Sequence, residues 1–181
     1  MRSAADVIAF WFEQHGTEDW FGGKPEFDAL LAQEFSETHA HVAMGEAYGW
    51  RGNVTGRLAE IIVLDQFSRQ LYRGAPQAFA QDKMALVLAQ EAIAQGLDQQ
   101  VDTTRRAFFY LPYMHSESLP IHDEAMRLYT ALGDPDQLDY ETKHRAAIAR
   151  FGRFPFRNKA LGRTSTAEEL AYMAEAGTRA F

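Results

Sequence analysis

The chemistry open to this chain is that of imidazole, carboxylate and guanidinium groups. Asp65 follows Ile61 and Ile62 by one turn in the most apolar stretch of the sequence, and Arg69 lies four residues further along the same helical face. A carboxylate buried there needs a cation, because an unpaired buried charge is strongly destabilising. His115 lies four residues after Leu111 and seven after Phe108, with Glu117 two positions on. His144 sits in the stripe of Tyr140, Ala147, Ile148 and Phe151. Read singly, Asp65 and Arg69 are a surface ion pair and each histidine is a hydrogen-bonded core residue. Read together, Asp65, Arg69, His115, Glu117 and His144 are a candidate polar pocket, since polar groups beside apolar stripes need partners. On that reading Asp65 and Arg69 are expected close to His115 or His144.

The charge distribution supplies a second candidate. Residues 143–163 hold seven cations and no acid, leaving 11 cations against all 25 acids in the rest of the chain. Within that segment Arg153-Phe154-Pro155-Phe156-Arg157-Asn158 interleaves planar cations with aromatic rings, a pattern suited to gripping anions. Arg153, Arg157 and Asn158 are the anion-binding candidates. Docking of the segment against the chain's own acids competes with that reading, with Asp65 and Glu117 as first partners.

Absences narrow the field. The 181 residues contain no cysteine, which excludes disulfides, thiolate metal sites and thiol nucleophiles. A net charge of −7 argues against a general nucleic-acid binder. There is no Gly-x-Gly-x-x-Gly, Walker loop, Gly-x-Ser-x-Gly or His-Glu-x-x-His. His115-x-Glu117 begins a zinc deaminase signature whose Cys-x-x-Cys half is missing. Asp65, Glu117, His115, His144 and His122 carry ligand atoms, but their spacing matches no metal motif. No metal and no cofactor is therefore expected. Only six apolar residues, Val7 to Phe12, follow the first six, too few for a secretory signal. No window approaches a membrane span, so a cytoplasmic protein without membrane partners is expected.

These groups must be positioned by helices. Ser3 with Asp6 reads as a helix start before the apolar run to Phe12. Pro25 opens a second helix. A third runs from about Thr55 to Tyr72, and a fourth from Phe79 to Gln95 ahead of Gly96. Asp102-Thr103-Thr104 caps a fifth, which Pro112 should kink or end. Ser118 and Pro120 start a sixth that stops at Gly133. Asp134-Pro135 opens a seventh through Phe151, and Gly152 stops it. Residues 153–163 read as loop, and Ser165 with Glu168 or Thr166 with Glu169 caps a last helix. No period-two alternation marks a strand. The expectation is one all-α domain over residues 1–181, with seven or eight antiparallel helices. The stretch Ala125–Leu161 has a tetratricopeptide-like rhythm of helix, glycine turn and helix.

Five blocks carry a family resemblance: Ile8-Ala9-Phe10-Trp11-Phe12; Asp19-Trp20-Phe21; Leu64-Asp65-Gln66-Phe67-Ser68-Arg69; Tyr110-Leu111-Pro112-Tyr113-Met114-His115-Ser116-Glu117; and Arg150 through Asn158. They resemble a bacterial family of uncharacterised proteins with a tetratricopeptide-like all-helical fold. The family pattern usually has Pro in place of Ser68 and His in place of Phe156. The resemblance implies a fold and no activity. The functional expectation is a helical binding module whose polar pocket takes a small anionic molecule or a peptide segment. The alternative is an enzyme, with His115 or His144 as general base and Arg153 or Arg157 steadying an anion. A third class is a structural interaction protein whose helical groove holds a partner segment.

Overall fold

The computed structural model describes residues 1–176, and no strand occurs among them. The chain forms two compact units: Met1–Arg73 with Gln77–Pro112, and Gly74–Pro76 with the chain from Tyr113 onward.

In the first unit, α1 (Ala4–Ile8) begins with the expected reciprocal cap between Ser3 and Asp6. It runs directly into a π-helical segment, Ala9–Gln14. The Trp11 carbonyl, in the last turn where intrahelical donors run out, accepts the Trp20 indole N–H at 2.8 Å. Trp20 is on α2 (Thr17–Phe21), a short helix where the sequence suggested a loop. α3 (Pro25–Ala43) starts at its proline. The apolar third helix is α4 (Val54–Ile62), a π-helical segment Val63–Phe67, and α5 (Ser68–Leu71) in one continuous rod. α6 (Asp82–Ala94) begins later than expected, because Pro76–Phe79 forms a 3-10 turn instead. Phe10, Trp11, Phe27, Phe35, Phe67 and Phe108 are buried together, with ring centroids 4.8–6.3 Å from partners in the cluster. Such aromatic packing adds to the large apolar area already removed from water.

α7 (Thr103–Met114) passes through Pro112 without ending there. Proline removes one backbone donor, yet Phe109, Tyr110, Tyr113 and Met114 are buried around it. Their packing outweighs one missing bond, and the helix ends two residues later. His115 therefore lies just beyond the helix rather than on its stripe.

In the second unit, α8 (Leu119–Leu132) and α9 (Pro135–Phe151) form a helical hairpin. Gly133 makes the turn with φ near +78°, a conformation that favours glycine. Asp134 caps α9 by accepting from the Asp136 and Gln137 N–H groups. Gly152, at φ +67°, ends α9 and turns the chain back. After a 3-10 turn at Pro155–Arg157, α10 (Ala167–Ala176) starts on a Thr166–Glu169 capping box. Ser165 has a different role, accepting from Asn158 Nδ2 at 3.1 Å. Counting each π-linked run as one, the described residues form nine helical rods; the extra one is α2.

Candidate functional site

The return of the chain after Gly152 places Phe154 inside the second unit, where it is almost completely buried. Polar rings gather on it. The Arg157 guanidinium stacks 4.5 Å from its centroid, His144 lies at 5.6 Å and His122 at 6.0 Å. His115, half-buried, sits 6.5 Å from His144, ring to ring. The backbone N–H of Phe154 donates to Glu117 Oε1 at 2.7 Å.

His144 donates from Nδ1 to the Tyr140 carbonyl at 2.7 Å, which makes Nε2 its acceptor nitrogen. Burial pushes its pKa down to about 3, and nearby His115, His122 and Arg157 push the same way. Burial acts against ionisation of Glu117, but Arg163, the Phe154 N–H and Arg157 together hold its carboxyl below the usual range. Arg163 closes on Glu117 through both guanidinium nitrogens, at 2.8 and 2.9 Å.

Near Phe154, His122, one of the ligand-bearing residues the sequence offered, pairs with Glu141, which the sequence reading did not single out. His122 is fully buried, bonding Glu141 Oε1 through Nδ1 at 2.7 Å and donating from Nε2 to the Ser116 carbonyl at 2.8 Å. Burial pushes the Glu141 carboxyl above its usual range, with His122 pulling the other way. No donor among the described residues reaches Glu141 Oε2. Glu141 shares one face of α9 with His144, three positions on, but nothing in the sequence linked it to His122.

The anion candidates divide. Arg153 donates from Nε and Nη2 to the two oxygens of Glu169, at 2.7 and 2.9 Å. Asn158 Nδ2 reaches the same carboxylate at 3.2 Å, and the Thr166 N–H completes the set at 2.8 Å. The anion these groups hold is the chain's own Glu169, whose pKa falls to about 2 under Arg153 first and then the Thr166 N–H. Most of the basic segment is engaged in this internal way. Arg145 pairs with Asp123, Arg150 with Glu168 and Lys143 with Asp139. Arg157 is buried on Phe154 beside His144.

Asp65 and Arg69 belong to the first unit. Asp65 is buried within the π-helical segment, and its Oδ1 lies 3.1 Å from Arg69 Nη1. Arg69 also donates to both oxygens of Asp82, at 2.9 and 3.1 Å. Burial opposes its charge, but the two carboxylates outweigh that and raise its pKa. The needed cation is thus the one expected, with Asp82 as a third member that the sequence spacing did not indicate. Among the described residues no group of three or more His, Asp or Glu is placed to hold a metal ion. None of their helices is long and apolar enough to cross a membrane.

The fold and this cluster define an all-helical protein with an interior collection of imidazole and guanidinium groups. The chain belongs to the family described as bacterial protein of unknown function (DUF924), whose profile matches residues 7–177. It is similar to a solved protein of unknown function from Agrobacterium tumefaciens, with 38% identity and a TM-score of 0.90, covering 95% of this chain and 97% of that one. No curated protein matches the sequence.

Proposed function

We propose that the protein is a binding module for a small anion, free or presented as a carboxylate on a peptide segment, held by Arg157, His144 and His115. The gathering of these three groups at Phe154 carries the reading. Glu117, which Arg163 and the Phe154 N–H engage, borders the same cluster, where the guanidinium groups of Arg157 and Arg163 balance it. Arg157 supplies the charge, and His144, neutral when alone, takes a proton on Nε2 to donate to the anion it meets. The half-buried His115 offers the way in. The same reading takes the α8–α9 hairpin as tetratricopeptide-like and the protein as cytoplasmic, supported by the Gly133 turn and the absence of cysteine.

The fixed tautomer of His144 favours a second reading, an acid–base enzyme. Its pKa near 3 weighs against this, because a general base works best with a pKa near the operating pH. Thermal melting with inorganic phosphate or sulfate, against chloride at equal ionic strength, tests the binding reading. Wild type is expected to gain melting temperature with phosphate or sulfate. His115→Ala and Arg157→Lys are expected to lose most of that gain. No shift in wild type contradicts the proposal.

A further inference from the structure

His122 on α8 and Glu141 on α9 meet within the hairpin, and their hydrogen bonds fix how many protons they share. The Ser116 carbonyl, 2.8 Å from His122 Nε2, can only accept, so Nε2 carries a proton. Glu141 Oε1 lies 2.7 Å from Nδ1. Two bare acceptors repel at that distance and two protons collide, so a single proton bridges the pair. Both side chains are fully buried, and no donor among the described residues reaches Glu141 Oε2. Burial therefore favours keeping the bridging proton.

Losing that proton to solvent rearranges the ring. A hydrogen bond to a carboxylate is roughly twice as strong as one to a neutral carbonyl. The one proton left on His122 therefore leaves Nε2 and sits on Nδ1, donating to Glu141. Nε2 then opposes the Ser116 carbonyl as a second acceptor, and the hold on Ser116 is gone. Ser116 stands between His115 and Glu117, so the turn that carries both is released with it.

We propose that His122 and Glu141 are a positioning pair that fixes the His115–Ser116–Glu117 turn only while one proton bridges them, so that alkaline pH releases the turn. The consequence for anion binding, through His115, rests on the reading given under Proposed function. Arg145 on α9 draws on Glu141 and is itself paired with Asp123 of α8. Arg145 and Arg157 keep their charge, as guanidinium groups do in proteins. His144 is already neutral, with its pKa near 3, and Arg163 holds Glu117 ionised. His115, the remaining titratable neighbour, is followed by its own ring signals.

The test is long-range proton–nitrogen NMR of the full-length protein without added ligand, from about pH 6 to pH 10, a span that includes buried carboxyls. Wild type is expected to show His122 protonated on Nε2 at the lower end. As pH rises, Nε2 is expected to lose its proton, and the Ser116 and Glu117 amides to move with the same midpoint. Glu141→Gln cannot ionise, and its amide donates to Nδ1, so Nε2 is expected to stay protonated throughout. Three outcomes overturn the proposal: a bare Nε2 at pH 6, a wild-type ring unchanged to pH 10, or a transition that persists in Glu141→Gln. The wild-type arm stands without any variant. Sulfate, which does not titrate in this range, reports the link to the anion site. Above the transition its affinity is expected to fall more steeply in wild type than in Glu141→Gln, by up to about tenfold per pH unit for the one linked proton. Equal slopes overturn that link. Sulfate that binds neither protein overturns the anion reading alone, and the ring signals then decide the proposal by themselves.

Discussion

Arg163 holds Glu117 by two parallel hydrogen bonds, 2.8 and 2.9 Å long, across 46 residues of sequence. Arg163 also donates to the Phe154 carbonyl and to Asn158 Oδ1, so one guanidinium ties the returning loop to the turn after α7. Arg163→Ala is expected to destabilise the protein by about 1–3 kcal/mol, the cost of leaving charged partners unmatched. Urea melts of Arg163→Ala, Glu117→Gln and the double variant check this. The double variant is expected to cost less than the sum of the singles.

Glu169 governs the acid side of stability. Its folded pKa of about 2 lies below the ordinary glutamate value of 4.5. Its stabilising contribution is therefore complete above about pH 4.5 and is lost as pH falls towards 2. Chemical melts across that window are expected to fall more steeply for wild type than for Glu169→Gln.

His144 acts in a neighbouring window. Folded it titrates near 3, against 6.5 when unperturbed. Between those values the unfolded chain binds the extra proton, so stability falls as pH drops from 6.5 towards 3, by up to about 1.4 kcal/mol per pH unit. His144→Gln keeps a polar side chain and removes the titration. Its stability is expected to vary less than that of wild type between pH 6.5 and 4.5.

Gly56 is required by a close approach. A Cβ there would lie 1.9 Å from the Trp50 carbonyl oxygen, a backbone atom that cannot step aside cheaply. Gly56→Ala is expected to cost about 3 kcal/mol or more, placing it in the diagnostic tail of single substitutions. Comparison of denaturation midpoints checks the value.

The Ser68 hydroxyl has a structural task. It donates to the Leu64 carbonyl at 2.6 Å and accepts from Nε2 of buried His39 at 2.8 Å. His39 Nδ1 has no partner, and burial keeps the ring neutral. Ser68→Ala leaves the His39 N–H stranded and is expected to cost about 1–3 kcal/mol. Adding His39→Leu is expected to recover much of the loss in the same melts.

The helices were legible because their punctuation is local. Gly133 and Gly152 take the left-handed conformation, and Ser3, Asp134 and Thr166 cap as their side chains allow. What escaped was set by packing. The π-helical segments at Ala9–Gln14 and Val63–Phe67, both rich in buried residues, carry no local sequence signal that separates them from α-helix. Pro112 lost to the burial of Tyr113 and Met114. The polar groups were found more readily than their partners. Arg153 was recognisable as a grip for an anion, but only the fold brings α10 round so that Glu169 fills it. Glu141 drew no reading from the sequence, because its partner His122 lies on the facing helix, 19 residues away.

The anion reading is tested most directly by the histidine ring signals themselves. Long-range proton–nitrogen NMR spectra of the wild-type protein are recorded against pH, without and with inorganic phosphate. Without it, His144 is expected to stay neutral with its proton on Nδ1 down to about pH 4, since burial pushes its pKa to about 3. With phosphate, the His115 and His144 signals are expected to shift together, and His144 to take up its proton at higher pH, because a bound anion favours the charged ring. His41, half-buried on the first unit beside Glu46, serves as the internal control. Ring signals of His115 and His144 that phosphate leaves unmoved, or moves no more than those of His41, would contradict the account.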